Sequence, residues 1–140
     1  MKIFFILQYE TNRNMQIRTT KPTESELDIL RFLWHKQKAS VREVHEELSS
    51  TKDVGYTTTL KLMQIMFEKG LVLRDDKSKV HIYKANVSQE STQQQFLPKF
   101  INTLFSGSST QLVMQALGNH KPSPEEIDEI QQLLNELKKK

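Results

Sequence analysis

The feature that most narrows the folds open to this chain is a change of period at Gly70. Before it, three segments carry apolar residues at helical spacing; after it come two β-rich runs, LVLRD and VHIYKAN, on either side of the charged DKSK. A helix face recurs every three or four residues and a strand face every second, so the switch marks a change of element. Gly70 suits the end of a helix because it enters the left-handed region without a Cβ penalty. Three short helices followed by a two-stranded hairpin with a basic tip is the order of a winged helix-turn-helix. The expected fold class is therefore mainly α with a small β-hairpin wing: a winged helix-turn-helix domain plus a helical C-terminal dimerisation domain.

Helix starts are legible from the capping box, in which a Ser or Thr and a Glu or Gln three residues later satisfy each other's backbone amides. It occurs as Thr23 with Glu26, Ser40 with Glu43, Ser108 with Gln111 and Ser123 with Glu126, the last followed by Pro124 at the first helical position. The spacing predicts a first helix from Glu24 to Lys36 burying Leu27, Leu30, Leu33 and Trp34. A second runs from Val41 to about Ser49, with Val41, Val44 and Leu48 inward. The third is GYTTTLKLMQIMFEKG, with Tyr56, Thr59, Leu60, Met63, Met66 and Phe67 on the core side. Thr57, Thr58, Lys61, Ile65 and Glu68 project outward. From Ser88 the chain returns to helix, broken at SGSS and GNHKPS. The expected domains are an N-terminal extension over 1–20, disordered, a winged-helix domain over 21–87 and a helical dimerisation domain over 88–140. Met15 offers an alternative translation start.

Composition removes several classes of function. There is no cysteine, which excludes disulfides, thiolate metal sites and thiol nucleophiles and fits a reducing cytoplasm. The four histidines, His35, His45, His81 and His120, are dispersed with no metal-ligand spacing. No phosphate loop, nucleophile elbow or dinucleotide turn occurs. The reading is a protein that is not an enzyme and needs no cofactor. No run approaches the length of a membrane span, and the cluster Ile3–Leu7 is too short for a signal-peptide core, so no membrane insertion is expected.

The net charge of +3 is unevenly spread: 15 Lys and Arg stand against 11 Asp and Glu up to Asn86, and 5 against 6 beyond it. A polyanion partner would therefore meet the first part of the chain. In a helix-turn-helix the second helix of the motif enters the major groove N-terminus first, and the flanking segments touch phosphates. Thr57, Thr58, Lys61 and Ile65 occupy the outward face of that helix. Hydroxyls and the ammonium suit phosphates or base edges, and methyl groups suit thymine; the alternative is that Thr57 and Thr58 only cap and solvate the helix. Tyr56 can offer its hydroxyl to a phosphate. Arg42 opens the second helix, Lys52 lies in the turn, and Lys77, Lys79 and His81 belong to the wing. The expected partner is a double-stranded DNA operator. In the C-terminal third, Phe96, Phe100, Leu104, Phe105, Leu112, Val113, Leu117, Ile127, Ile130, Leu134 and Leu137 are more apolar than short helices can bury unaided. These stripes can pack back onto the first domain or against a second copy; a homodimer is the expected use, since two-fold symmetry also supplies a second half-site.

From about Met15 to the C-terminus the chain resembles the penicillinase-repressor family of BlaI/MecI-type regulators. The resemblance rests on four blocks in order: PTESELDILRFLW, YTTTLKLMQIMFEKGLVLRD, VHIYKANVS and FINTLFSGSSTQLVMQAL. It implies a winged-helix repressor that dimerises through its C-terminal helices and binds a palindromic operator. The regulated genes would concern antibiotic resistance or cell-envelope stress, with a membrane sensor protease as a further partner. By that resemblance Thr57, Thr58 and Lys61 fall in the DNA-reading part, Lys77 to His81 in the wing and Phe96 to Leu137 in the dimer domain. In well-known relatives, induction involves cleavage of an Asn-Phe bond in the segment matching LVMQAL. Gln115 and Ala116 stand there in this chain, so that switch does not transfer. The family commonly has Arg where this chain has Ile65, so operator preference does not transfer either. Relatives that respond to copper carry cysteine ligands, which this chain lacks. The rival reading is a winged-helix module that docks a protein partner without sequence-specific DNA binding, and an apolar Ile65 exposed on the recognition face would favour it.

Overall fold

The computed structural model describes residues 21–140. The expectations for residues 1–20, including a start at Met15, lie outside the described residues. In chain order the elements are α1 (Glu24–Lys36), β1 (Ala39–Ser40), α2 (Val41–Ser49), α3 (Tyr56–Glu68), β2 (Val72–Asp75), β3 (Ile82–Ala85), α4 (Gln89–Leu104), α5 (Ser109–Asn119) and α6 (Pro124–Lys139). The fold is mainly helical with one small antiparallel sheet. The chain divides into two compact units, up to Gln95 and from Phe96 to Lys140.

In the first unit the capping boxes at Thr23 and Ser40 are fully formed. The helices they start bury Ile29, Leu30 and Leu33 from α1 and Val41, Val44 and Leu48 from α2. Met63 and Met66 of α3, Leu71, Val72 and Tyr83 complete the core. Leu27 and Trp34, expected inside, are only half-buried. The Trp34 indole explains its position, because Nε1 donates to the Val87 carbonyl at 2.8 Å and must stay near the end of the sheet.

Helix α3 ends as the sequence implied. Gly70 has φ +80°, its amide donates to Phe67 O at 3.1 Å, and the Leu71 amide donates to Met66 O at 2.9 Å. This is the Schellman pattern, and it turns the chain directly into β2. The buried Asn86 then clamps the turn, its Nδ2 donating to Gly70 O at 2.9 Å and its backbone amide to Leu71 O at 2.9 Å.

The hairpin gains a third strand. Strand order is β1-β3-β2, with Ala39 opposite Tyr83 and Ser40 opposite Ile82 on one side, and Val72 opposite Ala85 through Asp75 opposite Ile82 on the other. The two-residue β1 is too short to show a period of two. It lies between α1 and α2, so it joins the helices to the wing sheet edge-on.

In the second unit, Pro98 lies inside α4. It has no amide to donate to the Gln94 carbonyl, which leaves the helix one bond short beside the boundary between the units. The SGSS break is built from Ser106 at φ +50° and Gly107 at φ +84°. Helix α6 begins with a complete capping box at Ser123 and a proline in its first turn.

Candidate nucleic-acid interface

Helix α2, the turn at 50–55 and α3 form the helix-turn-helix, and the loop from Asp76 to His81 joins β2 to β3 as the wing. Thr57, Thr58 and Lys61 are exposed on the first two turns of α3, and Thr59 is fully buried. Tyr56 is 45% exposed, so the projection that set it on the core side is corrected. As the first helical residue it sits at the edge of the packed face. Its ring instead meets His45 edge-on, with centroids 5.5 Å apart and planes at 82°. Ile65 is half-buried. The fully exposed apolar residue that would favour a protein partner at this face is therefore absent from that position.

The start of α3 differs from every other described helix. Thr23, Ser40, Ser88, Ser108 and Ser123 each accept a backbone amide three residues on through their side-chain oxygens. Helix α3 has Gly55 as its N-cap and no side-chain cap bond. The first bonded amide is that of Thr59, which donates to Gly55 O at 3.2 Å. The amides of Tyr56, Thr57 and Thr58 are the orphan donors of the helix start, at the positive end of its dipole. The threonines therefore do not cap this helix.

The basic residues fall into two groups. Arg42 on α2, Lys61 on α3 and Lys79 in the wing are exposed. Lys52 is also exposed but pairs with Asp28 of α1, which Arg31 bonds at 2.7 Å. The Lys52 bond, opposed by burial and aided by Arg31, holds the Asp28 carboxyl below its usual range. Lys52 thus fixes the turn to α1 and still presents a cation beside it. Lys77 and His81 are exposed in the wing loop, where the Lys77 amide donates to Asp75 Oδ1 at 3.1 Å and Ser78 Oγ to Val80 O at 3.0 Å. Arg74, on the strand leading into the wing, lies 4.1 Å over the Phe67 ring of α3 and 3.7 Å from Asp76.

Helix α3 is anchored at both ends by contacts that the sequence spacing does not reveal. At the front, His45 Nδ1 lies 3.1 Å from Thr59 Oγ1. At the back, Lys69 Nζ donates to Glu26 Oε1 of α1 at 2.6 Å. Burial pushes the Glu26 carboxyl up, but Lys69 and Thr23 outweigh it and hold the group below its usual range. The partners lie 14 and 43 residues apart, so neither contact leaves a local signature.

In the second unit no residue from Phe96 to Lys140 is buried. Leu104 and Met114 are 65% and 68% exposed, and Phe100, Val113, Ile127, Leu134 and Leu137 are exposed as well. Phe96, Phe105, Leu112, Leu117 and Ile130 are half-buried, and Phe100 contacts Phe105 with ring centroids 5.7 Å apart. Gln115 and Ala116 are exposed in the middle of α5. Among the described residues no helix is long and apolar enough to cross a membrane.

Three helices, a three-stranded sheet and a basic loop in this order define a winged-helix protein. The pattern of the penicillinase repressor family matches residues 22–136, and the chain belongs to that family. It is a family of transcriptional repressors and not of enzymes. The chain is 25% identical over 116 residues to the penicillinase repressor of Staphylococcus aureus, covering 83% of this chain and 92% of the relative. It is 26% identical over 121 residues to the methicillin resistance regulatory protein MecI of Staphylococcus epidermidis, covering 86% and 98%. To the transcriptional regulator BlaI of Mycobacterium tuberculosis it is 33% identical over 67 residues, covering 47% and 49%.

Proposed function

We propose that this protein represses transcription by binding a palindromic DNA operator as a homodimer, and that the regulated genes serve antibiotic resistance or cell-envelope stress. The observation that carries the reading is the start of α3. It is the one described helix that begins without a side-chain cap, and Thr57, Thr58 and Lys61 stand exposed around its open amides. A phosphate there accepts from the orphan amides and meets the positive end of the dipole. The side chains beyond it reach base edges. Arg42, Lys52 and Tyr56 flank this end in sequence, and Lys77, Lys79 and His81 supply the wing's contacts to the backbone. Ile65, half-buried, contributes at most an apolar contact to a thymine methyl.

The second unit supports the dimer. Its exposed apolar residues, among them Leu104, Ile127, Leu134 and Leu137, form the surface a second copy covers. Release by a sensor protease that requires Asn-Phe does not operate at Gln115 and Ala116. A proteolytic signal would use another bond.

The test is binding to a labelled duplex spanning the protein's own promoter, followed by fluorescence anisotropy. Affinity is expected to fall steeply as salt rises, through counterion release. No promoter binding at low salt would overturn the proposal.

A further inference from the structure

We propose that His45 is the positioning residue of the recognition helix, tethering the first turn of α3 from the neighbouring helix in place of the missing cap. This inference rests on the reading of α3 as the DNA-reading element. A Ser, Thr or Asp at position 55 would set its side-chain oxygen on the very amides that a phosphate uses. Gly55 leaves those amides open, and the first turn loses the bond that stops it fraying. The chain supplies the restraint from outside the helix.

Two contacts carry it. His45 Nδ1 is 3.1 Å from Thr59 Oγ1, and Thr59 is fully buried with its hydroxyl also 3.5 Å from Gly55 O. The imidazole and the Tyr56 ring stand at 82° to each other with centroids 5.5 Å apart. Thr59 and Tyr56 bracket Thr57 and Thr58, so holding both fixes the two exposed threonines between them. Either ring tautomer makes the bond, since the threonine hydroxyl donates to a bare Nδ1 or accepts from Nδ1–H. His45 itself is half-buried against α3 and acts on DNA only through the helix it holds.

The experiment compares three variants of the full chain. His45→Phe keeps a ring against Tyr56 and loses the bond, and Thr59→Val keeps the shape of Thr59 and loses the hydroxyl. His45→Asn places an oxygen or nitrogen where the imidazole carries Nδ1. Amide hydrogen exchange at Thr59 and Leu60 is read against Met63 to Phe67 in the same helix, and promoter-duplex affinity is measured in parallel. With His45→Phe and Thr59→Val, exchange in the first turn rises about fivefold to tenfold and affinity falls by a similar factor, the worth of one net hydrogen bond. The second half of α3 stays protected, and His45→Asn recovers most of both. Unchanged first-turn exchange in both bond-deleting variants would overturn the proposal, as would a His45→Asn protein no better than His45→Phe. If the unaltered protein binds no promoter duplex, the repressor reading fails, while the exchange comparison still judges the tether.

Discussion

Except at α3, the two compact units use the same helix-starting chemistry, and they dispose of their apolar side chains in opposite ways. Residues 21–95 close a core of their own, in which Ile29, Leu30, Val44, Met63, Met66 and Val72 have no exposed surface. Residues 96–140 bury nothing fully, although α6 carries Ile127, Ile130, Leu133, Leu134 and Leu137 at helical spacing. A capping box decides where a helix begins and says nothing about what its apolar face meets. The first unit therefore closes its core within a single chain, and the second leaves an apolar face that the proposed dimer would cover.

Four measurements test this contrast. The largest effect is expected from Leu33→Ala, which empties part of a closed core and should cost about 3 kcal/mol in chemical denaturation. That loss should not depend on protein concentration. Leu134→Ala should instead shift a transition whose midpoint moves with concentration, since the proposed dimer puts the surface facing it on a second chain. Equal, concentration-independent losses would erase the distinction between the units.

Next, Leu104→Glu combined with Leu134→Glu should turn the dimer into a monomer near 16.4 kDa by light scattering. Promoter affinity should fall about a hundredfold as the linked second half-site is lost. The melting of the first unit should stay where it is.

Acid stability should also test the ion pairs of the first unit. The folded pKa of Glu26 lies below its ordinary value of 4.5. Its stabilising contribution is therefore complete above about pH 5 and is lost as pH falls through the lower, folded value. Asp28 and Glu43, the latter held down first by Lys36 and then by the Ser40 amide, act in the same direction. Glu26→Gln should be less stable at pH 7 by roughly 1–2 kcal/mol, the scale of a hydrogen bond to a charged group. It should also show a flatter loss between pH 5 and 3 than the unaltered protein. A parallel pH curve would remove the Glu26–Lys69 pair from the account.

The smallest effect is expected from Lys61→Ala, a solvated cation on α3. Affinity for the promoter duplex should drop about threefold to fivefold, and the salt slope should flatten by about one counterion. Stability of the first unit should not change. An unaltered salt slope would take Lys61 out of the interface.

The same contrast explains what could be read from the chain. The bounds of α1, the inward residues of α2, the glycine end of α3 and the breaks at SGSS and GNHKPS all depend on neighbours within a few residues. Strand β1 escaped because two residues have no period. Tyr56 was misplaced because an ideal projection ignores where packing stops at a helix end. Ile65 is half-buried despite its outward projection, because a projection assigns a direction and not the neighbours that cover it.

The order of the helices, the hairpin after them and the family blocks were legible in the chain, because capping, period and turn chemistry act over one helical turn or less. The long-range polar contacts that hold the first unit together came only from its packing. His45 with Thr59, Lys69 with Glu26, Asn86 with Gly70 and Trp34 with Val87 pair residues 14 to 53 positions apart. Which polar group finds which partner across such a distance depends on how the helices pack, and no local pattern encodes it.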